Sequence, residues 1–409
     1  MKKLKTNKVY VGNCLDVLKT FPDESLDMCI TSPPYWGLRD YGTEGQIWGG
    51  DPDCEHDFDK SKRTLHSGTW GEKDNALPHF KNATKLNWEV EDAVCNKCGA
   101  WKGELGLEPT PEMFIDHLCD IFDEVKRVLR PHGSCWVNLG DSYCRTPNSQ
   151  DPQSGFKTMK YKYNYKHKKN YGDTYKPKSL VQIPSRFAIE MTNRGWILRN
   201  EIIWHKPSCL PASVTDRYTV DFEKMFFFTK NKHYYFKQQI EETKDLLQRN
   251  KRTVWHVNTA SFKGAHFAVY PPQLLESPLD ATCPRFVDEK TGKAREITIE
   301  KKSIERHELP TDNPNYRPAR YDGKYTQGQR FAAYEDKGYT DGRDDNEFVP
   351  GIVLDPFFGS GTTAEVAMGQ GKDWVGIELN EDFEKISQKR LKPKIVEKKT
   401  RDKAKEFWR

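Results

Sequence analysis

The chain has 409 residues, with 65 basic against 60 acidic side chains and a formal net charge of +5. So mild a balance excludes a uniformly polyanion-binding surface, and any nucleic-acid contact must come from local patches. With a mean hydropathy of −0.86, no apolar run of membrane length and no apolar core after Met1-Lys2-Lys3-Leu4-Lys5, a spanning or secreted class is not expected; ten scattered cysteines point to a reducing cytoplasm.

Leu26-Asp27-Met28-Cys29-Ile30 reads as a short buried strand. Pro33 and Pro34 stop it, because proline donates nothing to a ladder while its carbonyl stays free to accept. Ser32, the Pro33 carbonyl and the Tyr35 ring then gather at the carboxyl end of a strand, where open α/β sheets bind ligands. A hydroxyl and a rigid carbonyl can accept the two protons of an exocyclic NH2, and an aromatic ring can stack on the planar base that carries it. Ser32, Pro33, Pro34 and Tyr35 are therefore the candidate catalytic set. A strand followed by a Pro-rich turn is the plain alternative.

Residues 44–106 read as a polar, glycine-rich insertion. It holds Cys54-Glu55-His56 and Cys95-Asn96-Lys97-Cys98-Gly99, and Cys-x-x-Cys followed by glycine is half of a zinc knuckle. Cys54, His56, Cys95 and Cys98 are the candidate ligands of a structural zinc, with His66 and His79 competing with His56. A fortuitous cysteine set is the alternative. Thr110 and Pro111 then open a helix. Phe114, Leu118, Ile121, Val125 and Leu129 form its apolar stripe, and Arg130-Pro131-His132-Gly133 is expected to close it. Cys135 to Leu139 reads as a strand.

Residues 145–178 read as a second insertion. From Phe156 to Lys178, eight lysines stand against one acid, Asp173, and five tyrosines alternate with them. Lysines reach phosphates and tyrosines stack or pack on sugars, so Lys162, Lys166, Lys168 and Lys169 are candidate DNA contacts. A solvated lysine run is the alternative. Ile183 to Met191 reads as a helix and Trp196 to Trp204 as a strand, with Phe222 to Phe228 its antiparallel neighbour.

Residues 285–346 read as a third insertion. Arg317, Arg320, Lys324 and Arg330 make it a candidate target-recognition region; structural padding is the alternative. Gly351 to Leu354 then leads as a strand into Asp355-Pro356-Phe357-Phe358-Gly359-Ser360-Gly361-Thr362-Thr363, a glycine loop followed by a helix. Loop glycines let backbone approach a ligand, and the helix start offers N–H groups to an anion. Asp355, Phe357, Gly359, Ser360, Gly361, Thr362 and Thr363 are the candidate cofactor loop. Asp373 to Asn380 is the next strand. Its Glu378 lies 23 positions after Asp355, near the offset at which an acid grips ribose hydroxyls. Alternating strands and helices predict an α/β fold with a doubly wound, mostly parallel sheet.

Taken together, the Ser-Pro-Pro-Tyr segment and the later Phe-x-Gly-x-Gly loop resemble the amino-methyltransferases of DNA in the permuted order called the β class. The likeness covers most of the chain apart from the three insertions. It implies a Rossmann-like methyltransferase domain in which Ser32 to Tyr35 hold the target amine and the glycine loop holds S-adenosylmethionine. It further implies that Asn13 and Cys14, in Val9-Tyr10-Val11-Gly12-Asn13-Cys14, lie near the cofactor's adenine, where the family often has Asp in place of Asn13. Phe267 and Ala268, in Ala265-His266-Phe267-Ala268, are expected to close over its methionine end. In Trp204-His205-Lys206-Pro207, Trp204 is expected to flank a flipped base or to be a core tryptophan at a strand end, and Lys206 to contact DNA.

The chemistry implied is direct methyl transfer to an exocyclic amine of double-stranded DNA, with the base out of the helix. Ring-carbon methylation of cytosine would need a cysteine nucleophile, usually one after proline, and none of the ten cysteines follows a proline. Serine at the head of the catalytic segment is commoner among cytosine-N4 enzymes, so cytosine N4 is favoured over adenine N6. A cognate restriction nuclease is a candidate partner. A zinc-containing DNA-binding protein with an inactive transferase core is the reading of another class, and the intact catalytic segment and glycine loop stand against it.

Overall fold

The computed structural model describes residues 4–37, 43–58, 62–66, 87–91, 93–144, 176, 178–209, 211–243, 247–259, 270–304 and 331–392. Eight strands form the central sheet: β1 (Lys8–Val11), β2 (Leu26–Thr31), β3 (Leu129–Leu139), β4 (Ile197–His205), β5 (Phe222–Thr229), β6 (Val254–His256), β7 (Ile352–Asp355) and β8 (Asp373–Glu378). Their spatial order is β1-β8-β7-β2-β3-β5-β4-β6. The pairs from β1 to β3 are parallel. β5 runs antiparallel to both its neighbours, and β6 lies parallel to β4. The sheet is thus mostly parallel, as expected from the alternation of elements.

Alternation along the strands sends side chains to two separate cores. Cys29, Cys135, Val137, Phe226, Phe228, Leu354, Val375 and Ile377 face one side, where they meet α1 (Cys14–Lys19), α2 (Pro111–Val128) and α3 (Ile183–Asn193). Met28, Ile30, Trp136, Met225, Phe227, Val353 and Trp374 face the other, against α4 (Pro272–Thr282) and α5 (Thr362–Gly369). Covering both faces with helices is what doubly wound means. The buried strands read as near-continuous apolar runs for that reason.

α2 begins as its sequence predicts, with the Thr110 hydroxyl accepting from the Met113 N–H at 3.2 Å. Its end differs from the expectation. The helix stops at Val128, Leu129 is already extended, and β3 runs from there through Arg130 to Gly133. Pro131 disfavours helical backbone at the residue before it, so the chain leaves the helix earlier than the apolar stripe suggests. At this amino end of the sheet the buried Asp27 accepts from Arg130 Nη1 at 2.7 Å and from the Ile352 N–H at 2.8 Å, tying β2, β3 and β7 together opposite the candidate site.

Of the first insertion, the two ends are rooted in the main body. Gln46–Trp48, Trp101–Gly103 and Ala93–Val94 pair as a small antiparallel sheet, and Trp48 and Trp101 are buried in the α2 core. The second insertion lies almost wholly outside the described residues, but its ends are pinned together. Cys144 N–H donates to Ser179 O and Lys178 N–H to Cys144 O, both at 2.8 Å. In the third, Arg295 is buried between Asp341 and Asp345 and stacks over Tyr339 and Phe348, a structural knot. Arg317, Arg320, Lys324 and Arg330 lie outside the described residues.

Candidate active site

β2 and β7 are adjacent parallel strands, Met28 opposite Val353 and Cys29 opposite Leu354. From β7 the chain crosses through α5 to β8 on one side; from β2 it crosses through α2 to β3 on the other. The strand order therefore reverses between β2 and β7, and the crevice beyond their carboxyl ends is the place where such sheets bind ligands. The Ser-Pro-Pro-Tyr segment leaves one strand there and the glycine loop leaves the other.

On the β2 side, the structure joins Tyr35 to Ser32 and to two residues from distant parts of the chain. Ser32 Oγ donates to Tyr35 Oη at 3.3 Å, and Tyr35 Oη donates to Glu223 Oε2 at 2.6 Å. Asn138, from β3, donates through Nδ2 to Tyr35 Oη at 2.6 Å and to Glu223 Oε2 at 2.7 Å. A carboxylate only accepts, which fixes the amide nitrogen toward Glu223. Asn138 Oδ1 is left buried with no hydrogen-bond partner among the described residues. Lys206 ion-pairs with the other oxygen of Glu223. Gly140 makes room for the tyrosine: a Cβ there would stand 2.5 Å from Tyr35 Cε2.

The structure bears on two expectations at this point. Trp204 is 4% exposed and its indole N–H donates to Val257 O at 2.8 Å. It is a core residue at the strand end and offers no face to a base. The Lys206 ammonium is engaged by Glu223 in the Tyr35 network. Lys162, Lys166, Lys168 and Lys169 lie outside the described residues.

On the β7 side, the buried Asp355 carboxylate takes four donors: Thr31 Oγ1 and Thr363 Oγ1 at 2.6 Å, Tyr270 Oη at 2.9 Å and the Phe357 N–H at 3.1 Å. Burial raises its pKa in spite of them. Asp355 thus fastens the loop to the catalytic strand through Thr31. Gly359 and Gly361 have φ of 52° and 82°, the left-handed region that glycine enters without strain. Phe358 turns inward and stacks on Trp374 at 5.2 Å between ring centres. Ser360 Oγ and Thr362 Oγ1 accept from Arg390 Nη1 at 2.8 and 3.0 Å, and Arg390 also pairs with Glu365. Their hydroxyls serve the loop's own fold, so what the loop offers a ligand is its backbone.

Glu378 ends β8 beside this loop. Its carboxylate accepts from the Gly359 N–H at 2.8 Å and the Asn380 N–H at 2.9 Å, and burial raises its pKa. β1 pairs with β8 so that Val11 stands opposite Glu378, which brings Asn13 to the same corner. Asn13 Oδ1 caps α1 through the Leu15 N–H at 2.9 Å, and its Nδ2 reaches Gln46 Oε1 at 3.5 Å. Cys14 is buried, which pushes its thiol up to about 12. Phe267 and Ala268 lie outside the described residues. The corner therefore combines an acid with spare lone pairs, an amide and a glycine loop that lets a ligand approach the backbone closely, a set that fits an adenosine bearing a short zwitterionic tail.

The four candidate metal ligands also come together, and no other such group occurs among the described residues. The ligand atoms of Cys54, His56, Cys95 and Cys98 all lie within 4.8 Å of one another. Burial, then the neighbouring Cys98 and Cys95 thiols, push the Cys54 thiol up to about 12. Cys95, despite its own burial, is drawn down to about 6 by backbone N–H donors of Cys98, Lys97 and Asp57 and by His56.

A family profile described as DNA methylase, of the N6/N4 type, matches residues 26–285 and 347–389. The chain belongs to the N6/N4 DNA methylase family. It is a DNA methyltransferase, and S-adenosylmethionine is the methyl donor of that chemistry. Among curated relatives, the Type II methyltransferase M.Cfr9I of Citrobacter freundii is 29% identical over 391 residues, covering 94% of this chain and 87% of the relative. M.SmaI of Serratia marcescens is 28% identical over 396 residues, covering 95% and 91%. A solved PvuII DNA methyltransferase described as cytosine-N4-specific overlaps with a TM-score of 0.47 at 14% identity, covering 94% of this chain and 89% of that one.

Proposed function

We propose that this chain is a site-specific Type II DNA methyltransferase whose target is the N4 amine of a flipped cytosine. The carrying observation is the chain of hydrogen bonds from Ser32 Oγ through Tyr35 Oη to Glu223, at the carboxyl end of the strand beside the glycine loop. When bound, S-adenosylmethionine supplies an electrophilic methyl on its sulfonium. Glu378 would take the ribose hydroxyls, Asn13 and Gln46 would border the adenine, and the glycine loop at Gly359 and Gly361 would hold the cofactor.

An exocyclic amine is a poor nucleophile because its lone pair is delocalised into the ring. Ser32 Oγ and the Pro33 carbonyl accept its two hydrogens, which turns the lone pair out of the ring plane and toward the methyl. Positioning then supplies most of the rate, because both partners are held in one crevice. As the N–C bond forms, the methyl–sulfur bond would break and leave a neutral thioether, and the nitrogen, now positively charged, must lose one proton. Ser32 takes it while passing its own to Tyr35, and Tyr35 passes its own to Glu223 Oε2. The donors already point in that direction. The Tyr35 hydroxyl is thereby fully committed, and its ring is the part presented to the base.

Cytosine N4 is favoured over adenine N6 by the serine that heads the catalytic segment. Residues 44–106, 145–178 and 285–346 are proposed as insertions in the catalytic domain. The family profile passes over 286–346, and the described ends of 145–178 are joined by the backbone bonds of Cys144 with Lys178 and Ser179. Modification-sensitive sequencing of DNA from cells expressing the wild type or Ser32→Ala tests the reading. The expected result is N4-methylcytosine at one short sequence, lost in the variant. N6-methyladenine would move the target base, and unmodified DNA with intact cofactor binding would favour the inactive DNA-binding protein.

A further inference from the structure

We infer that Cys54, His56, Cys95 and Cys98 hold one structural zinc ion, and that this metal braces the loop carrying Pro34, Tyr35 and Trp36. Zinc–sulfur bonds of about 2.3 Å in a tetrahedron set ligand sulfurs about 3.8 Å apart. Cys54 Sγ and Cys95 Sγ are 4.0 Å apart, and Cys98 Sγ is 3.4 Å from His56 Nδ1. Those sulfurs are far beyond the roughly 2.05 Å of a disulfide. Three thiols and one imidazole in this arrangement suit zinc, and four protein ligands leave no open position for catalysis.

The backbone around the ligands is built as a knuckle. Cys95 N–H donates to Ala100 O at 2.7 Å, and Gly99, with φ of 79°, donates to Cys95 O at 3.0 Å. The Asp57 N–H points at Cys95 Sγ from 3.4 Å, an orientation that stabilises a thiolate. Gly50 closes the other side. A Cβ there would stand 2.8 Å from Cys98 Sγ and 2.6 Å from the Ala100 Cβ.

From the knuckle a continuous path leads to the catalytic segment. Trp101 and Trp48, on strands that flank it, both stack on His117. His117 Nδ1 lies 3.2 Å from Glu108 Oε1, and Glu108 also accepts from the Gly106 N–H at 2.8 Å. Gly106 O accepts from the Gly37 N–H at 2.7 Å, and Glu108 O accepts from Trp36 Nε1 at 3.0 Å. The backbone of Gly106 is packed on Pro34 and Tyr35, where a Cβ would come within 3.3 Å of both. A DNA-gripping role is disfavoured by charge. Asp51, Asp53, Glu55 and Asp57 surround the ligands, the wrong sign for phosphate.

Metal analysis of the full-length protein, purified without added metal, is expected to find about one zinc per chain. Chelator-stripped protein should take up one Co2+ with the strong visible absorption of tetrahedral thiolate coordination. Cys95→Ser with Cys98→Ser should bind neither ion. Should that variant fail to fold, His56 decides: His56→Cys should retain the metal, while His56→Ala weakens its hold at least tenfold. Hydrogen exchange at the Gly37 amide should quicken on stripping and recover on adding Zn2+. A folded protein that contains no zinc and takes up no Co2+ overturns the site. Retention of metal by the double variant moves it elsewhere, and unchanged exchange at Gly37 overturns the brace.

Discussion

Glu223 is the residue on which the catalytic corner turns. One carboxylate oxygen receives Tyr35 and Asn138, and the other receives Lys206. Tyr35 is therefore held by its hydroxyl while its ring stays available, an arrangement that a neutral amide could copy in shape but not in charge. Glu223→Gln should leave the fold and the affinity for S-adenosylmethionine nearly unchanged and lower kcat. A hydrogen bond to a charged group contributes about 1.5–3 kcal/mol, so the loss in kcat should be roughly ten- to 150-fold. Glu223→Ala should be worse, because it leaves Lys206 and Asn138 without their acceptor. Single-turnover methylation with calorimetry of cofactor binding separates the two effects. If Glu223→Gln turns over at the wild-type rate, Glu223 neither orients Tyr35 nor receives the proton.

At the scale of elements, β8 and the glycine loop form one packing unit, with Phe358 as its pin. Phe358 lies over Gly376 in the middle of β8, where a Cβ would meet the ring at 2.3 Å. Gly376→Ala must push the ring off Trp374, and overpacking of this kind costs about 1–3 kcal/mol. The expected outcome is a lower Tm and weaker cofactor binding together, with part of both recovered by adding Phe358→Leu. Calorimetric melting and cofactor titration of the single and double variants check this; independent, additive losses would deny the contact its role. The strands and the loop were legible in the sequence because buried parallel strands are short apolar runs and their ends carry Pro, Gly and acids. Glu378 could be found by its offset from Asp355. Asn138 could not, nor could the Lys206–Glu223 pairing. Asn138 and Glu223 are polar residues inside apolar strands, far from Tyr35 in sequence, and only the register of β3 with β5 brings them to it. A polar residue at the end of a predicted core strand is the faint signal they did carry, the carboxyl end for Asn138 and the amino end of the antiparallel strand for Glu223. Trp204 stayed open between two readings for the converse reason: a large aromatic at a strand end looks the same in sequence whether it faces the crevice or the core.

For the molecule as a whole, chain order and spatial order are independent. The catalytic strand β2 comes early and the cofactor strand β7 late, yet they are neighbours, so the crevice at the reversal point is built from both ends of the sequence. Strand pairing of this range could not be read from local pattern, whereas the presence of two strand-loop units could. The same separation applies to charge. A net +5 over 409 residues gives the molecule little long-range attraction for DNA, and we propose the lysine-rich stretch of 145–178 as the main source of phosphate contacts. Each phosphate neutralised contributes a slope of about −0.9 to the dependence of log K on log salt. Replacing Lys162, Lys166, Lys168 and Lys169 together by alanine should flatten that slope by roughly 2–4 and weaken DNA binding most at low salt. Cofactor affinity should be unchanged, because β7, β8 and their loop are untouched. Fluorescence anisotropy with a duplex across a salt series reads the slope directly. A variant with the wild-type slope would show that these lysines stay in solvent, and the search for phosphate contacts would then pass to Arg317, Arg320, Lys324 and Arg330.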